Sequence, residues 1–267
     1  MPSPGGQLRD VAAISKTDAW AVGDAAVIEH WNGRRWAQVP VAGLEPLTGV
    51  AALSANDVWA VGGEGSAVTL HWNGTRWRSV RNPGWSPLSD VAVISARDVW
   101  AVGGDQNLFA MHWNGRRWKP FDGPNVGDQL SWLTSVTAVS TRNVWAVGEA
   151  QNGLSLHEPV VYHWNGRRWN TTVAPHSDGG LTGVATRSAN EIWTVGWDDP
   201  VLGGAGGTIS RWNGKNWRDG NPMQQTMLNA IATDKGTHLW AVGSTGNPTD
   251  ENELPGAPRP IIFRYGC

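Results

Sequence analysis

Asp57-Val58-Trp59-Ala60-Val61-Gly62, followed by His71-Trp72-Asn73-Gly74-Thr75-Arg76-Trp77, decides the fold because both strings recur along the chain. The first returns as Asp18–Gly23 and Asp98–Gly103, and in altered form as Asn143–Gly148, Glu191–Gly196 and His238–Gly243. Its tryptophans stand at 20, 59, 100, 145, 193 and 240, at intervals of 39, 41, 45, 48 and 47 residues. The second string spans Trp31–Trp36, Trp72–Trp77, Trp113–Trp118, Trp164–Trp169 and Trp212–Trp217, with Arg211 replacing His in the fifth copy. The sixth copy ends on Phe263-Arg264-Tyr265-Gly266. A third element precedes each first string: Leu8–Val11, Leu47–Val50, Leu88–Val91, Leu133–Val136, Leu181–Val184 and Leu228–Ile231.

Each unit reads as four short strands, A to D. Strand A is the Val-Ala stretch, B is VWAVG, C ends at His-Trp, and D begins at the second Trp of the pair. Asn-Gly between C and D (Asn32-Gly33 and its copies) is a two-residue hairpin signal, with both residues expected at positive φ. Ser15–Asp18, Ser54–Asp57 and Ser95–Asp98 suit tight A–B turns closed by side-chain-to-backbone bonds. Units of four strands and this length indicate an all-β, six-bladed β-propeller of four antiparallel strands per blade. It is expected to form a single domain over residues 1–267, with blades near 8–43, 44–85, 86–130, 131–179, 180–224 and 225–267. The sixth blade should lack a full D strand. The stub Met1–Gly6 aligns with the end of a D strand and is a candidate cover for that edge.

Composition agrees with this architecture. The 267 residues include 34 Gly and 19 Trp, and only 16% are charged, against about 25% in average globular chains. So many aromatics exclude an intrinsically disordered chain. A net charge of −2 gives no case for nucleic acid as a partner. Apolar runs are too short for a membrane-spanning helix, and Met1–Asp10 carries no signal-peptide pattern. The one cysteine, Cys267, excludes an internal disulfide and a cysteine-based zinc site. No cofactor and no metal is expected.

The repeat DVWAVG…HWNGxxW resembles the tectonin/tachylectin-like repeats and the WNG-repeat propellers of actinobacterial secreted proteins, over nearly the whole chain. The resemblance implies a bacterial, extracellular, lectin-like protein that binds carbohydrate. The chain departs from WD40 repeats, lacking the Gly-His and Trp-Asp pair, and from sialidase Asp-boxes. A fold does not dictate a function, so the site is argued separately.

With antiparallel strands, A–B and C–D turns fall at one end of the blades and B–C and D–A loops at the other. The first set is nearly uniform. The second varies, with long B–C loops expected over Glu149–Tyr162, Trp197–Ser210 and Ser244–Ile262. Sites favour variable loops on a rigid scaffold, which points to the B–C/D–A end near blades four to six. Sixteen tryptophans belong to the repeat, leaving Trp85, Trp132 and Trp197, all in or beside these loops. Each is either a loop anchor or a stacking platform for a sugar ring or planar ligand. With Glu149, His176 and Asp199 they make the candidate ligand-binding set.

Three functions stay open. The first is lectin-like binding of a glycan or small planar molecule at that end. The second is an enzyme (hydrolase, lyase or cyclase) using Glu158, Asp198 and His157 as acid and base in a loop-walled pocket. The third is a protein-interaction scaffold. Arg34, Arg35, Arg76, Arg116, Arg117, Arg167, Arg168 and Lys215 crowd the C–D turns. They are either solvated hairpin residues packing on tryptophan or a face for an anionic partner. His30, His71, His112 and His163 repeat one per blade, which makes them structural and keeps them from converging on one metal.

Overall fold

The sequence repeat is a repeat of sheets. The computed structural model describes residues 6–41, 45–104, 108–122, 130–151, 157–176, 178–198, 206–220, 223–224, 226–233, 238–245 and 259–266. The chain is an all-β, six-bladed β-propeller, and among the described residues the sole helical element is a 3-10 turn, Asp24–Ala26. Its contacts divide it into two compact units, Met1–Asn125 and Val126–Cys267.

In the first unit, blade one is β1 (Leu8–Ser15), β2 (Asp18–Gly23), β3 (Ile28–Trp31) and β4 (Trp36–Gln38). Blade two is β5 (Leu47–Ser54), β6 (Asp57–Gly62), β7 (Val68–Trp72) and β8 (Trp77–Ser79). Blade three is β9 (Leu88–Ser95), β10 (Asp98–Gly103), β11 (Phe109–Trp113) and β12 (Trp118–Asp122). In the second unit, blade four is β13 (Leu130–Ser140), β14 (Asn143–Gln151), β15 (His157–Trp164) and β16 (Trp169–Thr172). Blade five is β17 (Gly180–Ser188), β18 (Glu191–Asp198), β19 (Gly206–Trp212) and β20 (Trp217–Asp219), with β21 (Met223–Gln224) also pairing to β19. Blade six has three strands: β22 (Thr226–Thr233), β23 (His238–Thr245) and β24 (Arg259–Gly266). The stub expected to cover its edge lies mostly outside the described residues, as does Cys267.

The core sits between blades. Alternation along β2 and β6 sends Trp20 and Trp59 toward the following blade, where each meets a tryptophan pair. Trp20 lies 4.9 Å from Trp72 and 5.2 Å from Trp77; Trp59 lies 5.2 Å from Trp113 and 5.3 Å from Trp118. Trp145 repeats the contact with Trp212 and Trp217 at 5.8 and 6.2 Å. Polar clips add direction. Thr48, Thr134 and Thr182 each donate to the next blade's first-strand carbonyl (Leu88, Leu181 and Leu228), every one at 2.6 Å. Asp10 accepts the Val50 N–H at 2.7 Å.

Two turn assignments change. The C–D hairpin closes over four residues: Trp31 pairs with Trp36, and Asn32 N–H donates to the Arg35 carbonyl. Only the glycine takes positive φ, +86° at Gly33. Asn32 Oδ1 instead accepts the N–H groups of Arg34 and Arg35 at 3.0 and 3.1 Å, so the side chain supplies what a second left-handed residue would have. In the A–B turn serine does the closing, Ser15 Oγ accepting the Thr17 N–H at 3.2 Å. The aspartate at the end of that turn reaches across to strand C. Asp18, Asp57 and Asp98 bond His30, His71 and His112 at 2.8, 2.9 and 2.7 Å, and each imidazole lies over the blade's tryptophan.

Candidate functional site

The segments expected as long B–C loops begin and end in strand, and their middles, 152–156, 199–205 and 246–258, lie outside the described residues. β14 runs three residues past Gly148 to Gln151, and β15 begins at His157. β18 runs to Asp198 with β19 starting at Gly206, and β23 runs to Thr245 with β24 starting at Arg259. These strands run longer than their counterparts in blades one to three and carry the candidate residues Glu149, His157, Trp197 and Asp198 on ladders.

Alternation then sorts the side chains. Trp145, Val147 and Glu149 occupy one face of β14, the face that packs on blade five. Register places Trp132 of β13 opposite Glu149 and His157 of β15 opposite Gln151, so all three share that face. From blade five comes Trp197, in register with Gly180. The His157 ring stands 5.2 Å from Trp197 and 6.4 Å from Trp132, edge-on to both. Four of the sequence candidates therefore meet in one cluster.

Glu149 is its polar centre. Its side chain is 13% exposed and that of His157 27%, and Oε2 stands 3.3 Å from His157 Nδ1. The two atoms are buried and face each other at that distance, and neither has a further hydrogen-bond partner. Burial pushes the Glu149 carboxyl up from the ordinary carboxylate range, against the opposing pull of His157 and a bond from Trp132. Space for the carboxylate comes from Gly180. A β-carbon there would fall 2.3 Å from Glu149 Oε2 and 2.9 Å from Trp197 Nε1. Gly180 and the neighbouring Gly179, at φ +94°, were not among the sequence candidates. The signal was available: Gly180 precedes Leu181 just as Trp132 precedes Leu133 one blade earlier.

His176 forms a flanking arrangement. Its Nδ1 donates to the Asp178 carbonyl at 2.7 Å, and its Nε2 accepts from the Thr208 hydroxyl at 3.2 Å, which fixes the Nδ1–H tautomer. Asp198 Oδ1 stands 3.8 Å away on the more exposed side. Gly179 N–H donates to the His157 carbonyl at 2.9 Å, joining this loop to the Glu149 cluster.

The remaining candidates stand apart. Glu158, in register with Ala150, is exposed on the opposite face of the sheet, so it does not join Glu149 and His157. Trp85 belongs to the first unit. It is 58% exposed, packs on Phe109 at 5.5 Å, and comes after a loop that Asn82 pins to Ala67 and Thr69. Asp199 lies outside the described residues. Among the described residues no group of three or more His, Cys, Asp or Glu gathers to hold a metal, and no helix is long and apolar enough to cross a membrane.

Fold and site together define a β-propeller whose second unit carries a desolvated carboxylate and an imidazole between two indoles. No family model matches the chain, and no curated protein matches it in sequence. Among solved structures it is similar to YCF48 from Cyanidioschyzon merolae, with 15% identity and a TM-score of 0.63, over 90% of this chain and 80% of that one. It is also similar to the SapL1 lectin in complex with alpha methyl fucoside, with 10% identity and a TM-score of 0.56, over 89% and 91% of the two chains. At these identities the likeness is one of fold.

Proposed function

We propose that this chain is a lectin-like binding module of the WNG or tectonin type, and that the Trp132–Glu149–His157–Trp197 cluster takes a carbohydrate or small planar molecule. The observation that carries the reading is the buried Glu149–His157 pair, whose facing atoms Oε2 and Nδ1 have no hydrogen-bond partner beyond each other, held between two half-buried indoles. Native structures rarely leave buried polar atoms so sparsely bonded without a use for them. A sugar supplies what is missing: hydroxyls that donate to the carboxylate or imidazole, and an apolar ring face that packs on tryptophan. The SapL1 lectin, a fold neighbour solved with a fucoside, supports a sugar as the ligand class. Export from the cell belongs to the same reading.

A glycan array with tryptophan-fluorescence titration of its hits tests it. A saturable response to a sugar is expected, and Trp197→Ala should weaken it at least ~10-fold, or about 1.4 kcal/mol. No response to any sugar, or an unchanged titration in Trp197→Ala, overturns it.

The upward push on Glu149 beside an imidazole favours one second reading, acid–base chemistry on the bound sugar with Glu149 as the acid. Turnover of an aryl glycoside that disappears in Glu149→Gln while binding persists would select it.

A further inference from the structure

A second surface stands at the other end of the blades, within the first unit. Here the β1–β2, β5–β6 and β9–β10 turns lie beside the β3–β4, β7–β8 and β11–β12 turns. Indole N–H bonds tie each pair together: Trp31 to the Lys16 carbonyl at 3.1 Å, Trp72 to Ala55 at 3.0 Å and Trp113 to Ala96 at 3.2 Å. The Asp10–Val50 and Thr48–Leu88 bonds hold neighbouring blades in step, so the turns of all three blades share one end.

The hairpin tips there carry Arg34 and Arg35, Arg76, and Arg116 and Arg117, all exposed. Lys16 and Arg97 add two more exposed cations in the adjoining turns. Among the described residues none of these seven side chains has an ion pair, a hydrogen bond or a ring contact. The acids at this end are already engaged, Asp18, Asp57 and Asp98 each bonded to its blade's histidine. The tips are also stiff, since Asn32, Asn73 and Asn114 each cap two backbone N–H groups. Ordinary surfaces intersperse the two signs of charge. This one leaves its cations uncompensated on a scaffold that repeats them blade by blade.

We propose that this end of the first unit binds an acidic polysaccharide. One carboxylate on one exposed arginine gains little, because solvent screens the pair. A polymer meets several tips at once, and each later contact forms at a high local concentration. Arginine's planar fork suits carboxylate or sulfate groups. Nucleic acid fits less well. Trp31, Trp72 and Trp113 at this end each donate their indole N–H to a turn carbonyl and pack on their pair partners, so they are held as turn anchors rather than as a row of free stacking platforms. A membrane surface also fits less well, since the tip sequences Asn-Gly-Arg-Arg and Asn-Gly-Thr-Arg offer no apolar side chain to insert.

The proposal is independent of the tryptophan site and is tested on the full chain with polygalacturonate as the probe. Binding is expected at low ionic strength and should fall steeply toward about 0.5 M salt. Monomeric galacturonate should not compete at matched carboxylate concentration. Replacing Arg34, Arg35, Arg76, Arg116 and Arg117 together by Gln should weaken binding ~100-fold, whereas Lys at the same positions should keep it within about fivefold. Single Arg35→Gln and Arg117→Gln variants, about threefold each, keep the test open should the fivefold variant misfold. Absence of binding at low salt overturns the proposal, as does unchanged affinity in the Gln variants. Equal or tighter binding to charge-matched duplex DNA, or to phosphatidylserine vesicles, overturns it in favour of those partners.

Discussion

Glu149 keeps its carboxyl at an energetic cost, because burial outweighs the help it receives from His157 and Trp132. A carboxyl raised above its unfolded value contributes stability that is full below the ordinary range near pH 4 and is lost as pH rises through the raised value. Glu149→Gln should therefore denature at higher urea than the parent at neutral pH, with the advantage shrinking toward acid. Urea midpoints measured across that interval check this, and an advantage that grows toward acid would refute it. The same substitution should weaken sugar binding, since an acceptor becomes partly a donor. Gly180→Ala attacks the cluster from below. Its β-carbon would fall 2.3 Å from Glu149 Oε2, so the carboxylate must move. We expect a loss of about 1–3 kcal/mol in stability and at least ~10-fold in sugar affinity, read by urea titration and fluorescence.

One cross-strand position shows how much an element can vary while keeping its geometry. Where strand B begins and strand C ends, blades one to three place Asp with His, and blade four places Asn143 with His163 at 3.0 Å. Blade five substitutes Glu191 with Arg211 at 3.3 Å, and blade six His238 with Arg264. In blades five and six the arginine lies over the same tryptophan, 5.5 Å from its ring in each case. The pair thus lids the blade's tryptophan on one side, while the next blade's indoles cover Trp20, Trp59 and Trp145 on another. Asp57→Ala should cost about 1–2 kcal/mol by stripping His71 of its partner. Trp59→Ala should cost about 3–5 kcal/mol by opening the blade two–three core. Thermal or urea unfolding ranks the two, and equal costs would deny the lid its minor role. Tryptophan spacing was legible because the same indole contact recurs with each blade. The Asp–His pair was not, because the serine-to-aspartate spacing also suits a self-contained turn. The overrun of β14 was hidden for a related reason. Glu149 and Gln151 are polar, so the strand's alternation continues without an apolar signal, and only the ladder reveals it.

At the scale of the molecule, each unit carries one of the two proposed surfaces. Arginine tips crowd one end of the first unit, while the second unit holds its carboxylate–imidazole cluster on its longer strands. Loop variability pointed to the B–C/D–A end; which residues converge there was not readable, because convergence depends on register between blades. Blade six stops at three strands, and its last strand bears the consequence. Among the described residues β24 pairs with β23 alone, so no described strand covers its outer edge. Register puts Val242 opposite Ile262 and Trp240 opposite Arg264, giving one apolar strip beside that edge. Trp240 and Val242 are each 40% exposed and Ile262 69%, whereas Trp20, Trp59 and Trp145 are buried. Such an edge beside an apolar strip favours strand addition by another chain. The protein should therefore gain mass with concentration in light scattering. Ile262→Lys should suppress that gain, because a charge on an exposed edge strand resists pairing, while changing stability by less than about 0.5 kcal/mol. A mass independent of concentration in the parent, or association that survives Ile262→Lys, would show that the edge is not used for strand addition.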